Sequence, residues 1–133
     1  MKTLITADYQ TIIKTALKVE NPQLAEKGFV EVQFVTKQTS QTLNQKYRAK
    51  NTPTDVLSFP LYHHTELKAV ITHDEEPILL GSLIICKSIV RTRAQEEGMG
   101  YDERLSWTIK HGLKHLLGYD HNPDGSSWFP VPT

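Results

Sequence analysis

The order of hydrophobic and polar positions predicts a chain in which strands and helices are mixed. Residues 29–35 read Phe-Val-Glu-Val-Gln-Phe-Val, an alternation with a period of two that is typical of a strand with one polar face. Residues 78–85 are the most apolar run and indicate a buried strand. A third, short strand is expected over residues 56–59, where Pro60 ends it. These runs supply the strands of a small sheet.

Four helices are expected around these strands, over about residues 8–17, 39–47, 87–97 and 101–117. The last helix carries an apolar stripe that should face the core, formed by Leu105, Ile109, Leu113 and Leu116. Residues 61–78 hold scattered charges, and we expect a long loop or a loose hairpin there. Three histidines within that segment lack ligand spacing and are interpreted as loop residues: His63, His64 and His73.

This mixture of elements predicts an α+β fold in which helices flank a small sheet. A chain of 133 residues fits one domain that can bury a real core. We place that domain at residues 1–121. Residues 122–133 are expected to form an irregular tail, because prolines and a Gly-Ser-Ser run cannot continue a helix.

Three features favour the reducing cytoplasm and no contact with a membrane. No apolar run is long enough to span a bilayer. The N-terminus reaches polar residues too soon for a secretory signal. The single cysteine, Cys86, excludes an internal disulfide, and we interpret it as a small buried hydrophobe because it follows an apolar run.

The formal net charge is zero, which argues against tight, indiscriminate binding of RNA. A neutral chain can still carry a local basic groove. Basic residues do cluster within residues 46–50, 87–93 and 110–114. Such runs usually form solvated helix faces, and that interpretation stays open.

The candidate chemistry lies in His111-Gly-Leu-Lys-His115-Leu-Leu-Gly118-Tyr-Asp-His121. Residues four apart lie on the same face of a helix, so His111 and His115 can reach one metal ion. Gly118 suits the left-handed turn that ends a helix, and that turn can return His121 to the other two. Three neutral imidazoles leave a coordination position open, as in catalytic zinc sites. We therefore predict one Zn²⁺ per chain, bound by these three histidines.

The same spacing matches the zincin pattern H-E-x-x-H-x-x-G-x-x-H except at one position. Gly112 stands where that pattern has its glutamate, so the usual general base of a zinc peptidase is missing. Zinc lowers the pKa of its bound water toward neutrality, and that water could attack phosphorus or a carbonyl carbon. Residues 1–121 are thus expected to be a single metallohydrolase domain. Nickel or copper could occupy the same ligands in a purified sample.

Two segments resemble the YbeY family, metal-dependent endoribonucleases associated with ribosomal RNA maturation. One is the histidine segment. The other is residues 43–60, which read Leu-Asn-Gln-Lys-Tyr-Arg-Ala-Lys-Asn-Thr-Pro-Thr-Asp-Val-Leu-Ser-Phe-Pro. Residues 80–85, Leu-Gly-Ser-Leu-Ile-Ile, are a weaker third match, and the resemblance runs from about Phe29 to His121. It implies a mixed four-stranded sheet with the metal helix packed against it.

The resemblance also implies that Arg48 serves the active site. Its planar guanidinium suits a phosphate and could stabilise the charge that builds on phosphoryl oxygens. Without the resemblance, a surface salt bridge would be the commoner role for an arginine. Asp120 could fix the tautomer of a ligand imidazole or cap the turn after Gly118. Asp55 could position water or a histidine, or stabilise its turn together with Thr54.

Three features depart from the family's usual pattern. Lys114 stands where an apolar residue is usual, Ser82 where an acidic one is usual, and the tail lacks the usual acidic helix. Because a lysine is almost never fully buried without a partner, Lys114 should either cross apolar surface with its head in water or face the metal cleft. We favour the exposed position.

Together these observations favour a zinc-dependent, single-strand-selective endoribonuclease in ribosomal RNA processing and ribosome maturation. RNA, ribosomal RNA above all, is the expected partner, with the ribosome or its proteins as further candidates. Two alternatives stay open. A zinc hydrolase of amide or ester bonds would need a general base elsewhere in the chain. A non-catalytic ribosome-associated factor with a structural metal would need a fourth protein ligand.

Overall fold

The computed structural model describes residues 2–73, 77–122 and 127–130, which contain six helices and five strands. The helices are α1 (Lys2–Glu20), α2 (Pro22–Lys27), α3 (Lys37–Arg48), α4 (His64–His73), α5 (Lys87–Glu97) and α6 (Tyr101–Leu116). The strands are β1 (Gly28–Phe34), β2 (Val56–Pro60), β3 (Ile78–Ile85), β4 (Tyr119–His121) and β5 (Trp128–Pro130). The predicted α+β class is confirmed. None of the described helices is both long and apolar enough to cross a bilayer.

The main sheet is mixed and has three described strands in the order β1-β3-β2. The central strand β3 pairs in parallel with β1 and antiparallel with β2. The fourth strand that the family resemblance implied is not part of this sheet as described. Instead, β4 begins three residues after α6 ends, packs against that helix and pairs with β5 in a separate ribbon.

The core lies between the sheet and α6, which also packs against α1 and α5. All four residues of the predicted apolar stripe on α6 are buried, and they belong to the same cluster as Leu83 and Ile85 of β3. Gly112 brings α6 close to the sheet: a Cβ at this position would lie 3.0 Å from side-chain atoms of both Leu83 and Val56. This approach fixes the position of the helix that carries two of the candidate ligands.

The long loop expected over residues 61–78 is wrong, because residues 64–73 form α4. Its buried positions, Leu67 and Ile71, are four apart and pack into the core. The exposed residues Glu66 and Lys68 flank Leu67, and the short apolar pattern gave no clear helical spacing in the sequence. His64 lies at the start of this helix, with its Nδ1 3.1 Å from the Leu117 carbonyl oxygen. The side chain of His73 lies outside the described residues.

Two helix starts also differ from those expected. α1 begins at Lys2 rather than near residue 8, so the backbone of Asp8 lies inside the helix. α3 is capped by Thr36, whose hydroxyl accepts a hydrogen bond from the Thr39 backbone N–H at 3.1 Å. Ser40, near the expected start of this helix, is instead buried within it, and its hydroxyl bonds the backbone of Thr54.

The irregular course expected for residues 122–133 is wrong for Trp128–Pro130. Strand β5 pairs antiparallel with β4, with Trp128 opposite His121 and Phe129 opposite Asp120. Pro130 is compatible with this pairing because it ends an edge strand. The strand forms here because Trp128 buries part of its indole against the histidines, a contact that no local pattern reveals.

Gly118→Ala should destabilise the fold more than Gly98→Ala does. Both glycines have a positive φ, 91° and 69°, so alanine costs about 1–2 kcal/mol at either position. At Gly118 the new Cβ would also lie 2.6–2.8 Å from the Cβ and backbone atoms of His64, whereas nothing lies within 4 Å at Gly98. We expect a loss of about 3 kcal/mol for Gly118→Ala, measured by urea unfolding. Equal losses for the two variants would contradict the described approach of α4.

Candidate metal centre and its cleft

The structure brings the three predicted ligands together at the C-terminal end of α6. His111 and His115 lie one turn apart on the helix, and the left-handed turn at Gly118 returns the chain so that His121 on β4 faces them. One ligand atom from each ring lies within 4.8 Å of the others, and the ring centroids are 4.9–5.1 Å apart. The three histidines could therefore bind a metal ion.

Backbone carbonyls fix the tautomer of two of these rings. Nδ1 of His115 lies 3.1 Å from the Tyr119 carbonyl oxygen, and Nδ1 of His121 lies 2.7 Å from that of Asn122. Because a carbonyl oxygen only accepts, Nδ1 of each ring carries the hydrogen. The lone pair of a neutral ring is then on Nε2, where a metal can use it.

Burial favours the neutral form of His111 and His115. Burial, together with the neighbouring His115 and His121, lowers the pKa of His111 to about 4. Burial also lowers the pKa of His115, partly opposed by its hydrogen bond to the Tyr119 carbonyl. Metal ligation requires neutral imidazole, so this donor set fits a transition-metal ion at neutral pH.

The side chain of Asp120 belongs to the turn rather than to a histidine ring. Its Oδ1 accepts a hydrogen bond from the backbone N–H of His121 at 2.7 Å. The same atom is 4.0 Å from Nδ1 of His115, whose hydrogen already points to a carbonyl. Of the two roles considered for Asp120, the geometry favours the turn.

A cleft of about 610 Å³ opens beside the histidines. It is lined by side chains from α3, the loop that follows it, β2, α5, α6 and β4: Arg48, Lys50, Thr54, Asp55, Val56, Ser58, Arg93, Trp107, His111, His115, Asp120 and His121. The predicted site residue Arg48 therefore shares a cleft with all three histidines. Its role in catalysis stays a prediction.

Arg48 is the last residue of α3, and the next residue, Ala49, has a left-handed φ of 58° that ends the helix. Side chains of α3 then fasten the loop over residues 49–55. The buried Ser40 hydroxyl donates to the Thr54 carbonyl at 2.7 Å and accepts from the Thr54 N–H at 2.9 Å. Asn44 Nδ2 donates to the Thr52 carbonyl at 2.8 Å. The cleft side chains of this loop are thus held by α3.

A buried charged network joins this loop to α6. Asp55 is buried, and its Oδ2 lies 3.3 Å from Nη2 of Arg104, which is also buried. Arg104 donates to the Thr108 hydroxyl at 2.7 Å, and that hydroxyl lies 3.3 Å from the same carboxylate oxygen. Arg93 of α5 approaches the other oxygen of Asp55 at 3.8 Å, with 40% of its side chain exposed. Asp55 thus fixes the cleft wall rather than a histidine.

Sequence reasoning missed two tryptophans at this site. The indole of Trp107 stacks on His111, with centroids 4.7 Å apart and planes 21° apart, and the guanidinium of Arg104 lies 4.3 Å from the indole centroid. The position of Trp107, four residues before His111 on the same helix, could have indicated this contact. Trp128 contacts all three histidine rings, and nothing in the sequence near it indicates that.

Comparison with known proteins identifies the family. The family model for endoribonuclease YbeY matches residues 1–127. The chain belongs to the YbeY family. It is 40% identical over 112 residues to endoribonuclease YbeY of Lysinibacillus sphaericus (strain C3-41). The aligned residues cover 84% of this chain and 70% of that relative. It also resembles the solution structure of TM1509 from Thermotoga maritima, with a TM-score of 0.59 and 26% identity over 94% of this chain and 73% of that one.

Membership in the YbeY family makes the chain an endoribonuclease, a hydrolase that acts on RNA. The family assignment made from the histidine segment and residues 43–60 is confirmed. The cluster of three histidines gives this hydrolase a place where a metal ion could bind. Three cationic side chains line the same cleft, those of Arg48, Lys50 and Arg93.

Gly112, the departure from the zinc-peptidase pattern, faces β2 and β3, so no side chain at this position could act as a base toward the histidines. Two departures from the YbeY pattern, Ser82 and Lys114, leave the cleft lining intact. Ser82 does not line the cleft, and its hydroxyl donates to Glu31 of β1 at 2.9 Å. Lys114 also lies outside the cleft lining: its Nζ is 3.4 Å from Glu20 Oε2 on α1, and 32% of its side chain is exposed. The exposed position favoured for Lys114 agrees with this pair.

The metal-free protein should lose stability as the pH falls from about 6.5 to about 4. The unfolded chain protonates this imidazole near pH 6.5, whereas His111 in the fold has a pKa of about 4. Protons in this window bind preferentially to the unfolded chain and therefore favour unfolding. Urea unfolding in the presence of a chelator measures the effect at each pH.

His111→Gln is the matched control for this pH dependence, since glutamine does not titrate. The variant should lose less stability than the unmodified chain across the same window. Parallel pH profiles for the two proteins would contradict the lowered pKa.

Proposed function

We propose that this YbeY protein is a zinc-dependent, single-strand-selective endoribonuclease that acts in ribosomal RNA processing and ribosome maturation. The observation that carries the proposal is the placement of three convergent imidazoles in one cleft with Arg48, Lys50 and Arg93. One Zn²⁺ per chain, held by His111, His115 and His121, is part of the proposal. We further propose that residues 1–121 contain the metallohydrolase domain.

The charges of the cleft support a phosphate substrate. Arg48, Lys50 and Arg93 stand against two carboxylates, those of Asp55 and Asp120. Asp55 is already paired with the buried Arg104, so its charge is compensated from inside the protein. The chain is formally neutral as a whole, and the cleft is therefore more basic than the average surface. A local excess of positive charge attracts phosphates without indiscriminate binding elsewhere.

The chemistry divides between the metal and the chain. A bound zinc would supply Lewis acidity, which lowers the pKa of water so that a nucleophile is available near neutral pH. Arg48 would bind a phosphate with its planar donors and stabilise the charge that grows on the phosphoryl oxygens. Lys50 and Arg93 would hold neighbouring phosphates of the strand. The Nδ1–H groups of His115 and His121, held by carbonyls, would keep both rings oriented throughout.

The size of the cleft supports selectivity for single strands. Its volume of about 610 Å³ lies within the range of pockets that accept one small ligand, which is far smaller than a duplex. An unpaired strand can place one nucleotide in such a cleft and turn its bases outward, whereas a paired one cannot. Ribosomal RNA, with the ribosome or its proteins as partners, is proposed from the family resemblance. The buried free thiol of Cys86 is in keeping with a cytoplasmic location, where thiols stay reduced.

Both alternatives lack support among the described residues. A zinc hydrolase of amide bonds needs a general base near the metal. Gly112 faces the sheet, and the two carboxylates of the cleft have other partners: Asp55 pairs with Arg104, and Asp120 accepts a hydrogen bond from the backbone. A structural metal needs a fourth protein ligand, and the metal-binding group found in the described part of the chain has three members. The open position favours catalysis.

The metal-loaded protein should cut single-stranded RNA, and it should leave duplex RNA, peptides and esters intact. His115→Ala should abolish both cleavage and most metal affinity, because two imidazoles seldom hold zinc firmly. Gel assays of end-labelled RNA, with metal content measured in parallel, test this. Hydrolysis of the peptide or ester panel in place of RNA would contradict the proposal.

Arg48→Ala should lower turnover of RNA by about a hundredfold or more while metal content stays unchanged, because a transition-state donor is lost. Arg48→Lys should recover only part of the rate, since an ammonium cannot supply two parallel donors. Arg91→Ala is the matched control: Arg91 is an exposed arginine that lies over the Tyr101 ring, outside the cleft lining. Equal losses of metal and activity in Arg48→Ala would instead make Arg48 a structural residue.

A further inference from the structure

Trp128 lies against all three candidate ligands at once. Its ring centroid is 5.3 Å from that of His111, 5.1 Å from that of His115 and 4.7 Å from that of His121. The histidine rings are themselves 4.9–5.1 Å apart. Four rings at nearly equal separations place the indole over one face of the histidine triangle, in contact with every ring.

The β4–β5 ribbon delivers the indole to this position. Trp128 pairs directly with His121, and directly opposite residues of an antiparallel pair project to the same side. Beyond this pair, the Asn122 N–H donates to the Ser127 carbonyl at 3.2 Å, which extends the pairing by one residue on each strand. The next residue along β5, Phe129, is opposite Asp120 and is 45% exposed, so it projects to the other side.

The indole and the cleft lie on different sides of the three histidines. All three histidines line the cleft together with Arg48, but Trp128 is not among the lining residues. A further neighbour of the indole lies toward α1: Lys114 Nζ is 5.7 Å from the Trp128 centroid, and the same ammonium pairs with Glu20. The cleft side of the triangle is therefore open, and the side toward α1 is covered by an aromatic ring.

We propose that Trp128 is a positioning residue that closes one side of the metal centre. The inference rests on the proposed binding of metal by the three histidines. Edge contacts from one indole restrict the rotation of three imidazoles, so the donor set is preorganised before a metal arrives. Because the same ring excludes water from its side, a bound metal exchanges ligands only through the cleft, where Arg48 lies. Residues that orient ligands typically change metal affinity by about 10–100-fold when they are removed.

The rate of metal release tests this role without reference to RNA cleavage. Zn²⁺-loaded protein is mixed with an excess of a chromogenic chelator, and the transfer of zinc is followed in time. Trp128→Ala should release zinc about tenfold faster or more, whereas Trp128→Phe, which keeps an aromatic ring, should stay within about threefold of the unmodified chain. Phe129→Ala is the matched control, because it removes the neighbouring ring of the same strand on the side away from the histidines.

Release from Trp128→Ala at the rate of Phe129→Ala would overturn the inference. Thermal unfolding of the metal-free variants checks that each is folded. If Trp128→Ala is not, Trp128→Leu takes its place, since leucine keeps apolar volume without a ring, and its release must again be faster than that of the control. An unmodified chain that binds no zinc at all would refute the metal site itself, which is a separate outcome.

A fluorescence measurement gives an independent readout of the same contact. The chain has two tryptophans, so Trp107→Phe leaves Trp128 as the only indole. Ni²⁺ bound within contact distance of that indole should quench most of its emission, and Zn²⁺ should compete the quenching away. Emission that stays constant while Ni²⁺ binds by equilibrium dialysis would place Trp128 away from the centre and overturn the inference.

Discussion

The buried pair of Asp55 and Arg104 is the constraint on which the site depends. Asp55 belongs to the loop that follows Arg48, and Arg104 belongs to the helix that carries His111 and His115. Both charges are removed from water, the Thr108 hydroxyl contacts both side chains, and a carboxylate oxygen of Glu97 lies 3.0 Å from Nε of Arg104. Removing one partner of such a pair typically costs about 3–5 kcal/mol, because the other charge stays buried without compensation. The loop that follows Arg48 and the helix that carries His111 and His115 are therefore held in one relative position.

The same helix has to satisfy two opposite demands. One face must approach the sheet closely, and Gly112 permits this by contributing no side chain between α6 and the β2–β3 strands. The Ser58 hydroxyl donates to the Gly112 carbonyl at 2.8 Å, which fastens β2 to the helix at the same level. The other face must present two imidazoles to a cleft. A glutamate at residue 112, as in zinc peptidases, would lie in the sheet interface, so the missing base and the close packing have one cause.

The sequence predicted best what depends on local spacing. β3, α5 and α6 were placed within a residue or two, because each carries a clear period or a glycine at its end. The histidine cluster was predicted for the same reason, since a helix turn and a glycine turn bring its members together. α4 was missed because only Leu67 and Ile71 carry its described buried face, which is too short a pattern to show a helical period.

The remaining gaps concern contacts between distant parts of the chain. Arg104 and Thr108 lie four apart on α6 and could have been noticed as a second, polar stripe. Their partner Asp55 is 49 and 53 positions away in the chain, so no spacing rule connects them. Trp128 lies among prolines, glycine and serines, a composition that indicates a tail. Only the three-dimensional position of the histidines gives that tail something to pack against.

Lys114 and Trp128, which belong to two departures of this chain from the YbeY pattern, lie close to each other beside the histidines. Lys114 replaces a usually apolar residue, and its ammonium lies 5.1 Å from the Tyr119 ring and 5.7 Å from the Trp128 ring. Oε2 of Glu20 on α1 lies 3.4 Å from the same ammonium. The ammonium of Lys114 is stabilised at this partly exposed position by two aromatic rings and a carboxylate. An apolar side chain at residue 114 could not make the same contacts. Lys114 and Trp128 thus form one local structure. Because Lys114 and Trp128 are in contact, we expect the effects of their substitutions on the free energy of unfolding to be non-additive.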